Sequence, residues 1–352
     1  MSSNKITELF AQNGSGASGG SGSGEPVYVI AEAGANHDRD LRKAHALIDV
    51  AADAKADAVK FQVYTADGLY SRATPIFPGE SRRPYEVIRE VEMPREWEPE
   101  LQAHATERGL DYFATPFDYE AVDAQAALGV PVFKWASSEI TDFPMLAHAA
   151  RYGRPMLLST GMCDLADVQV AIDTVRAAGN EQIILLHCSA LYPTPLNQVN
   201  LRAMQTLRAA FGLPVGYSDH TLGIAVTTAA VALGACVIEK HFTLDRSSPG
   251  PDHPYALEPD ELAAMVRAIR DVQPCLGSAI KAPTPGELQK RMLSRRSIIA
   301  ARDLRAGEPL LRSDVITKRP GTGLEPRLLD VVIGRTLRED VLEGTPLTWE
   351  MI

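Results

Sequence analysis

VGYSDHTLGIAVTTAAVALGACVIEKHFT, residues 215–243, decides the fold. Two short apolar runs, Val215–Ser218 and Cys236–His241, flank one helix's worth of sequence from Gly223 to Leu233. Each run leads into a polar cluster built on a histidine: Ser218-Asp219-His220-Thr221 and Glu239-Lys240-His241-Phe242-Thr243. Strand, helix, strand at this spacing is a crossover between parallel strands, because a parallel pair needs a dozen or more connecting residues. In a closed β/α barrel the carboxyl ends of all strands share one face, so both imidazoles are expected at one mouth, on neighbouring strands. Two neutral imidazoles with carboxylates alongside can hold a divalent metal and leave positions for substrate. On the residues alone, two unrelated polar strand ends remain the alternative.

The same alternation extends outward from this unit. Apolar runs predict strands at Val27–Ala31, Ala58–Val63, Leu110–Thr115, Val132–Ala136, Pro155–Ser159 and Ile183–Cys188, ahead of the two already quoted. Amphipathic stretches between them predict helices at Leu41–Ala54, Pro94–Arg108, Tyr119–Leu128, Pro144–Tyr152, Leu165–Ala178, Leu201–Phe211 and Ile224–Leu233, with another at Pro259–Leu276. Eight βα units argue for an α/β fold of the (β/α)8 TIM-barrel type over residues 25–280; an open doubly wound sheet is the alternative, since counting units does not show closure. After the Pro-rich linker 281–293 the texture changes. Short strand-like pieces at Ser297–Ala301, Pro309–Leu311 and Val315–Lys318, broken by Gly307, Pro320, Gly321 and Gly323, predict a small β-rich domain over residues 294–352. A domain of that size has little core of its own and is expected to lean on the barrel or on another subunit.

Residues 1–24 form a polar leader ending in a Gly/Ser run, Gly14 to Gly24. It contains a literal GxGxxG, but this precedes the first strand and opens no helix, so it reads as a flexible linker and not as a dinucleotide fingerprint. The formal charge of -10 argues against nucleic-acid and anionic-membrane partners. No uninterrupted apolar run reaches membrane-spanning length and no secretory leader is recognisable, so a cytoplasmic location is expected. Cys163, Cys188, Cys236 and Cys275 form no CxxC pair and are expected to be reduced.

The catalytic face of such a barrel is read from the strand ends. The first strand ends in Ala31-Glu32-Ala33-Gly34-Ala35-Asn36-His37, where Glu32 is a candidate base or water-orienting group. Lys60 and Gln62 alternate with apolar residues and both face the barrel interior. A buried ammonium needs an anionic partner; this could be a ligand, an internal salt bridge, or a carbonyl in a Schiff base. Lys134, Ser137 and Ser159 add a second inward ammonium and two hydroxyls, followed by the Thr160-Gly161-Met162 turn. Lysines, hydroxyls and a Gln converging on one mouth make a cradle for phosphate and carboxylate, and phosphoenolpyruvate carries both.

At this point the residues resemble a known family. Ala31 to His37, Lys60-Phe61-Gln62, Ser159-Thr160-Gly161-Met162, Tyr192-Pro193-Thr194-Pro195, both histidine clusters and Pro249-Gly250-Pro251-Asp252-His253 are similar to the sialic acid synthases. Lys318-Arg319-Pro320-Gly321-Thr322-Gly323 resembles that family's C-terminal antifreeze-like (SAF) domain. The resemblance runs from about Val27 to the C-terminus. It implies condensation of phosphoenolpyruvate with N-acetylmannosamine or a related amino sugar, giving a nine-carbon 2-keto acid and phosphate by C–O cleavage. It also implies a divalent metal, typically Mn²⁺ (with Mg²⁺ or Co²⁺ as alternatives), on His220 and His241. In the implied roles Lys60, Gln62, Lys134, Ser137 and Ser159 hold phosphate and carboxylate, and Glu32 orients or activates water. Tyr192, Glu239 and Asp252 contact the sugar or its aldehyde. Arg319 reaches the N-acyl group from the partner subunit of a domain-swapped homodimer. Two departures bear on the sugar: Ala190 stands where the family often has Asn, and the loop from Phe77 to Tyr85 differs from the simplest members. The implied acceptors are N-acetylmannosamine, its 6-phosphate and diacetamido-dideoxy hexoses, with the Pro-Gly-Pro-Asp-His run leaning toward the sialic or legionaminic branch. Competing readings are another barrel enzyme of carbonyl chemistry, such as a metal aldolase, and a non-catalytic carbohydrate-binding protein.

Overall fold

The computed structural model describes Ile6, Phe10, residues 26–77 and residues 81–352. Its residues fall into two compact units, divided between Gly277 and Ser278.

The first unit is a (β/α)8 barrel. Its strands are β1 (Tyr28–Gly34), β2 (Ala58–Val63), β3 (Asp111–Pro116), β4 (Phe133–Trp135), β5 (Met156–Ser159), β6 (Ile183–His187), β7 (Val215–Asp219) and β8 (Val237–His241). They pair in the order β3-β2-β1-β8-β7-β6-β5-β4, and every pairing is parallel. The two end strands, β3 and β4, lie against each other, which closes the ring. The strands are short continuous apolar runs because both faces are covered, by the barrel interior and by the helices. Ile30, Val59, Phe113, Leu157, Leu185 and Ile238 have no exposed surface. Gly216 is required by close approach: a Cβ there would lie 2.6 Å from both Leu186 Cδ2 and the Val237 carbonyl oxygen.

Helices follow the strands where polar caps start them. Asp118, two residues past β3, accepts from Ala121 N–H and opens the helix Tyr119–Leu128. Asp164, past β5, forms a capping box with Asp167 at the start of Leu165–Ala177. Such caps keep the βα loops short, so each strand end is held close to the mouth.

Several boundaries differ from the sequence expectations. β1 runs on to Gly34 and so carries Glu32 inside the strand, with a register irregularity against β2 between Glu32 and Gly34. β6 ends at His187, leaving Cys188 in the loop. The helices Ala66–Leu69 and Pro84–Val91 follow β2, the second beginning inside the loop expected from Phe77 to Tyr85, of which residues 78–80 lie outside the described residues. Most of the Gly/Ser leader lies outside them too, but Ile6 and Phe10 are buried in the barrel's apolar cluster.

The second unit begins with a helix, Pro285–Ser294, where a plain linker was expected. β9 (Ser297–Ala300) and β10 (Val315–Lys318) pair antiparallel, while Pro309 makes only an isolated bridge to Thr336. This unit has an apolar core of its own, with Ile298, Leu310, Val332 and Leu347 fully buried. The expectation of a core too thin to stand out is thereby corrected: residues as distant as Ile298 and Ile352 close around one cluster. Among the described residues no helix is long and apolar enough to cross a membrane.

Candidate active site

The carboxyl ends of the barrel strands surround a small cavity of about 60 Å³. Strand register sets its composition. Glu32 on β1 pairs with Lys60 on β2 and with His241 on β8, which puts carboxylate, ammonium and imidazole at one level. Ser218 on β7 is level with Glu239 on β8. Lys60 and Gln62 both line the cavity, as their alternation predicts. Lys134, Ser137 and Ser159 line its opposite wall. Tyr192, His220, Glu239 and His241 complete it. Asp252 stands behind His241 and outside the lining, with Oδ2 3.6 Å from Nδ1 of that ring. Arg319 is an exposed residue of the second unit, just past β10.

The buried charges are paired internally. Lys60 Nζ is 2.8 Å from Glu32 Oε2 and 3.7 Å from Glu239 Oε2, and it donates to Thr115 Oγ1. Lys134 Nζ is 3.6 Å from Glu239 Oε1 and donates to Ser159 Oγ at 2.8 Å. Of the partners open to a buried ammonium, the internal salt bridge is the one present at Lys60, which also lines the cavity. Ser218 donates to Glu239 Oε1 and Gln62 donates to Glu32 Oε1.

Burial moves these groups in opposite directions. It lifts the Glu32 carboxyl well above the usual range; Lys60 pulls it back and the charge of Glu239 lifts it further. Burial acts on Glu239 in the same sense, but Lys134 and Lys60 outweigh it and hold that carboxyl far below the usual range. Two carboxyls in one cavity are thus pushed apart, one toward holding a proton and one toward staying ionised. Burial lowers Lys134. On Lys60 the attraction of Glu239 and Glu32 overcomes burial, and its pKa rises.

The two imidazoles lie side by side, ring centroids 5.5 Å apart. His220 Nδ1 bonds the Ser189 carbonyl at 2.9 Å. A carbonyl only accepts, so Nδ1 carries the proton and Nε2 is left with its lone pair. Burial pushes His241 down to about 3 and also lowers His220, so both rings are neutral. The donor chemistry fits a divalent metal. His241 Nδ1 and Glu239 Oε2 are buried without a hydrogen-bond partner, whereas Glu32 Oε2 is met by Lys60 Nζ. Among the described residues no set of three His, Cys, Asp or Glu side chains is arranged to hold a metal. Any ion here would rest on the two imidazoles, with water or substrate oxygens completing its shell.

On the outer face, a second buried pair ties these strand ends together. Lys240 Nζ contacts Asp219 Oδ2 at 2.5 Å and donates to the Thr221 carbonyl. Each histidine is thus preceded by one half of an ion pair joining β7 to β8. Gly34, at φ +52°, gives His241 and Asp252 their room: a Cβ there would meet Asp252 Oδ2 at 2.4 Å and the His241 ring at 3.1 Å.

Residue reading missed Thr115, Ser218, Cys188 and Tyr255. The first three line the cavity; Cys188 Sγ lies 3.1 Å from Ser137 Oγ. Strand-end position was the available signal for Thr115 and Ser218, both of which sit on the inward period.

Comparison with known proteins places the chain in a family. Residues 47–281 match the NeuB family and residues 295–352 match the SAF domain. The chain is 45% identical over 341 residues to the N,N'-diacetyllegionaminic acid synthase of Legionella pneumophila, covering 94% of this chain and 96% of that one. It is 34% identical to the human N-acetylneuraminate-9-phosphate synthase, covering 94% of each chain. The crystal structure of the N-acetylneuraminic acid synthetase of Leptospira borgpetersenii, in complex with citrate, superposes with a TM-score of 0.69 at 36% identity, covering 75% of this chain and 90% of that one. The chain belongs to the NeuB family of phosphoenolpyruvate-dependent sugar-acid synthases, with a SAF domain following the barrel.

Proposed function

We propose that the barrel mouth joins phosphoenolpyruvate to the aldehyde of a six-carbon amino sugar bearing two acetamido groups, forming a nine-carbon 2-keto acid of the legionaminic type. The observation that carries this reading is the convergence of both buried lysines and both strand-end histidines on one cavity. The 45% identity to a legionaminic acid synthase supports the diacetamido acceptor.

Lys60 and Lys134, with the Ser137 and Ser159 hydroxyls, supply the charge and donors for the phosphate and carboxylate of phosphoenolpyruvate. Such an anion competes with Glu239 for the two ammonium groups. His220 and His241 would hold a divalent ion, with Mn²⁺ the first choice; when bound it supplies Lewis acidity toward the sugar's aldehyde oxygen. In the reaction, C3 of phosphoenolpyruvate forms a bond to the aldehyde carbon, and the aldehyde oxygen takes a proton to become a hydroxyl. Water adds at C2, and the bond from C2 to the bridging oxygen breaks. Phosphate leaves with that oxygen, and the water oxygen remains as the ketone. Glu32, held by Gln62 and Lys60 with its pKa raised to about 7, is in its ionised form the base that accepts one proton from this water, and the second goes to the departing phosphate as the ketone forms. Tyr192 is 55% exposed, with its ring 4.2 Å from that of His220. It forms the rim over which the sugar enters. Arg319 reaches the N-acyl group, presented by the second subunit of a homodimer.

An acceptor panel tests this reading. With phosphoenolpyruvate and Mn²⁺, phosphate release should be at least about 10-fold faster with a diacetamido-deoxymannose than with N-acetylmannosamine or its 6-phosphate. A lost hydrogen-bonded substituent accounts for a factor of that size. Mass spectrometry should find the nine-carbon keto acid. Faster release with N-acetylmannosamine would reassign the acceptor, and release with none of the three would reject the function.

A further inference from the structure

We propose that Tyr255 is a positioning residue of the two-histidine centre, holding Asp252 and both imidazoles in place without touching substrate. The proposal rests on the two-imidazole metal reading given above. Tyr255 ends the short turn His253–Tyr255 and is 4% exposed. It does not line the cavity, yet three of the rings that do surround it. Its ring centroid is 5.2 Å from that of His241, 5.4 Å from Tyr192 and 6.5 Å from His220, the last at an interplanar angle of 89°.

The hydroxyl does a different job from the ring. It donates to Asp252 Oδ1 at 2.8 Å. The other oxygen, Asp252 Oδ2, accepts from Ala35 N–H at 3.0 Å and lies 3.6 Å from His241 Nδ1. One carboxylate thus ties the residue just past β1 to the turn carrying Tyr255 and stands beside the imidazole at the end of β8. The turn itself is anchored by His253, which bonds Thr243 Oγ1 at 2.7 Å and Asp38 Oδ1 at 2.9 Å. Asp252 is committed to Ala35 and Tyr255. Without the phenol, Oδ1 loses its partner and the Ala35 N–H alone fixes the carboxylate beside His241. A group that orients a metal-binding imidazole through a carboxylate typically changes metal affinity by 10–100-fold.

Tyr255→Phe removes the hydroxyl and keeps the ring. We expect Mn²⁺ affinity, measured by electron paramagnetic resonance without substrates, to fall about 10-fold or more. The His241 ring ¹⁵N signals of the metal-free protein should shift. kcat should fall while the KM for phosphoenolpyruvate stays within about twofold, a split that general destabilisation does not produce. In an Asp252→Asn background the same substitution should add little, because both changes break one connection. Unchanged Mn²⁺ affinity together with unchanged His241 signals would overturn the proposal. Should the unaltered protein take up no Mn²⁺, the metal reading fails by itself; the His241 signals then decide the role of Tyr255, a shift supporting it and no shift overturning it.

Discussion

His220→Ala is expected to give a folded protein whose turnover with phosphoenolpyruvate and amino sugar is slower by about 10³-fold or more. Lewis-acid stabilisation is worth several kcal/mol of barrel-mouth chemistry, and each 1.36 kcal/mol is a factor of ten. The fold should survive. The His220 side chain contributes one hydrogen bond, to the Ser189 carbonyl, and ring contacts with Tyr192, His241 and Tyr255. Losing the bond and leaving that carbonyl unpaired costs about 1–3 kcal/mol, a minor part of the stability of a large barrel. Phosphoenolpyruvate binding, carried by the two lysines, should change little. His241→Ala should behave alike. The checks are steady-state kinetics, Mn²⁺ binding and thermal unfolding of each variant; full activity in either would refute its assignment as a metal ligand.

The second large effect is on stability. Lys240→Ala should cost about 3–5 kcal/mol, because it leaves Asp219 buried without its counter-ion. Both side chains are 1% exposed or less. Burial lowers the Lys240 ammonium and Asp219 draws it back up. The double variant Asp219→Asn/Lys240→Met, which removes both charges and keeps most of the volume, should recover more than half of the loss. Denaturant unfolding of the two variants measures this. A cost below about 1 kcal/mol for the single change would show that the pair is dispensable. The pair also matters for function, since it locks the register of the two strand ends that carry His220 and His241.

The sequence disclosed the parts of this molecule that depend on period and composition. Eight apolar runs became eight strands because parallel strands covered on both faces cannot alternate. Lys60 and Gln62 were placed inside because side chains two apart share a face. His220 and His241 came together because consecutive units of a barrel are neighbours. What stayed hidden depends on contacts between distant loops. The bonds of Asp252 to Ala35 and Tyr255 could not be read from the chain. Tyr255 lies in a turn without period, so nothing marked it as more than filler. The helix Pro285–Ser294 did carry a signal, Thr284 and Glu287 forming a capping box with Pro285 at the first position. The neighbouring prolines and glycine drew the reading toward a linker. Internal compensation of Lys60 by Glu32 was open on the residues, because a buried ammonium needs a partner and the sequence does not say which.

The most direct test follows one oxygen atom. Phosphoenolpyruvate labelled with ¹⁸O at the bridging position is incubated with the enzyme, Mn²⁺ and a diacetamido-deoxymannose, and both products are weighed by mass spectrometry. The mechanism proposed for this cavity predicts the label in the released phosphate, one phosphate for each nine-carbon keto acid, with an unlabelled ketone. Label retained in the keto acid, or phosphate released with no condensed product, would contradict it.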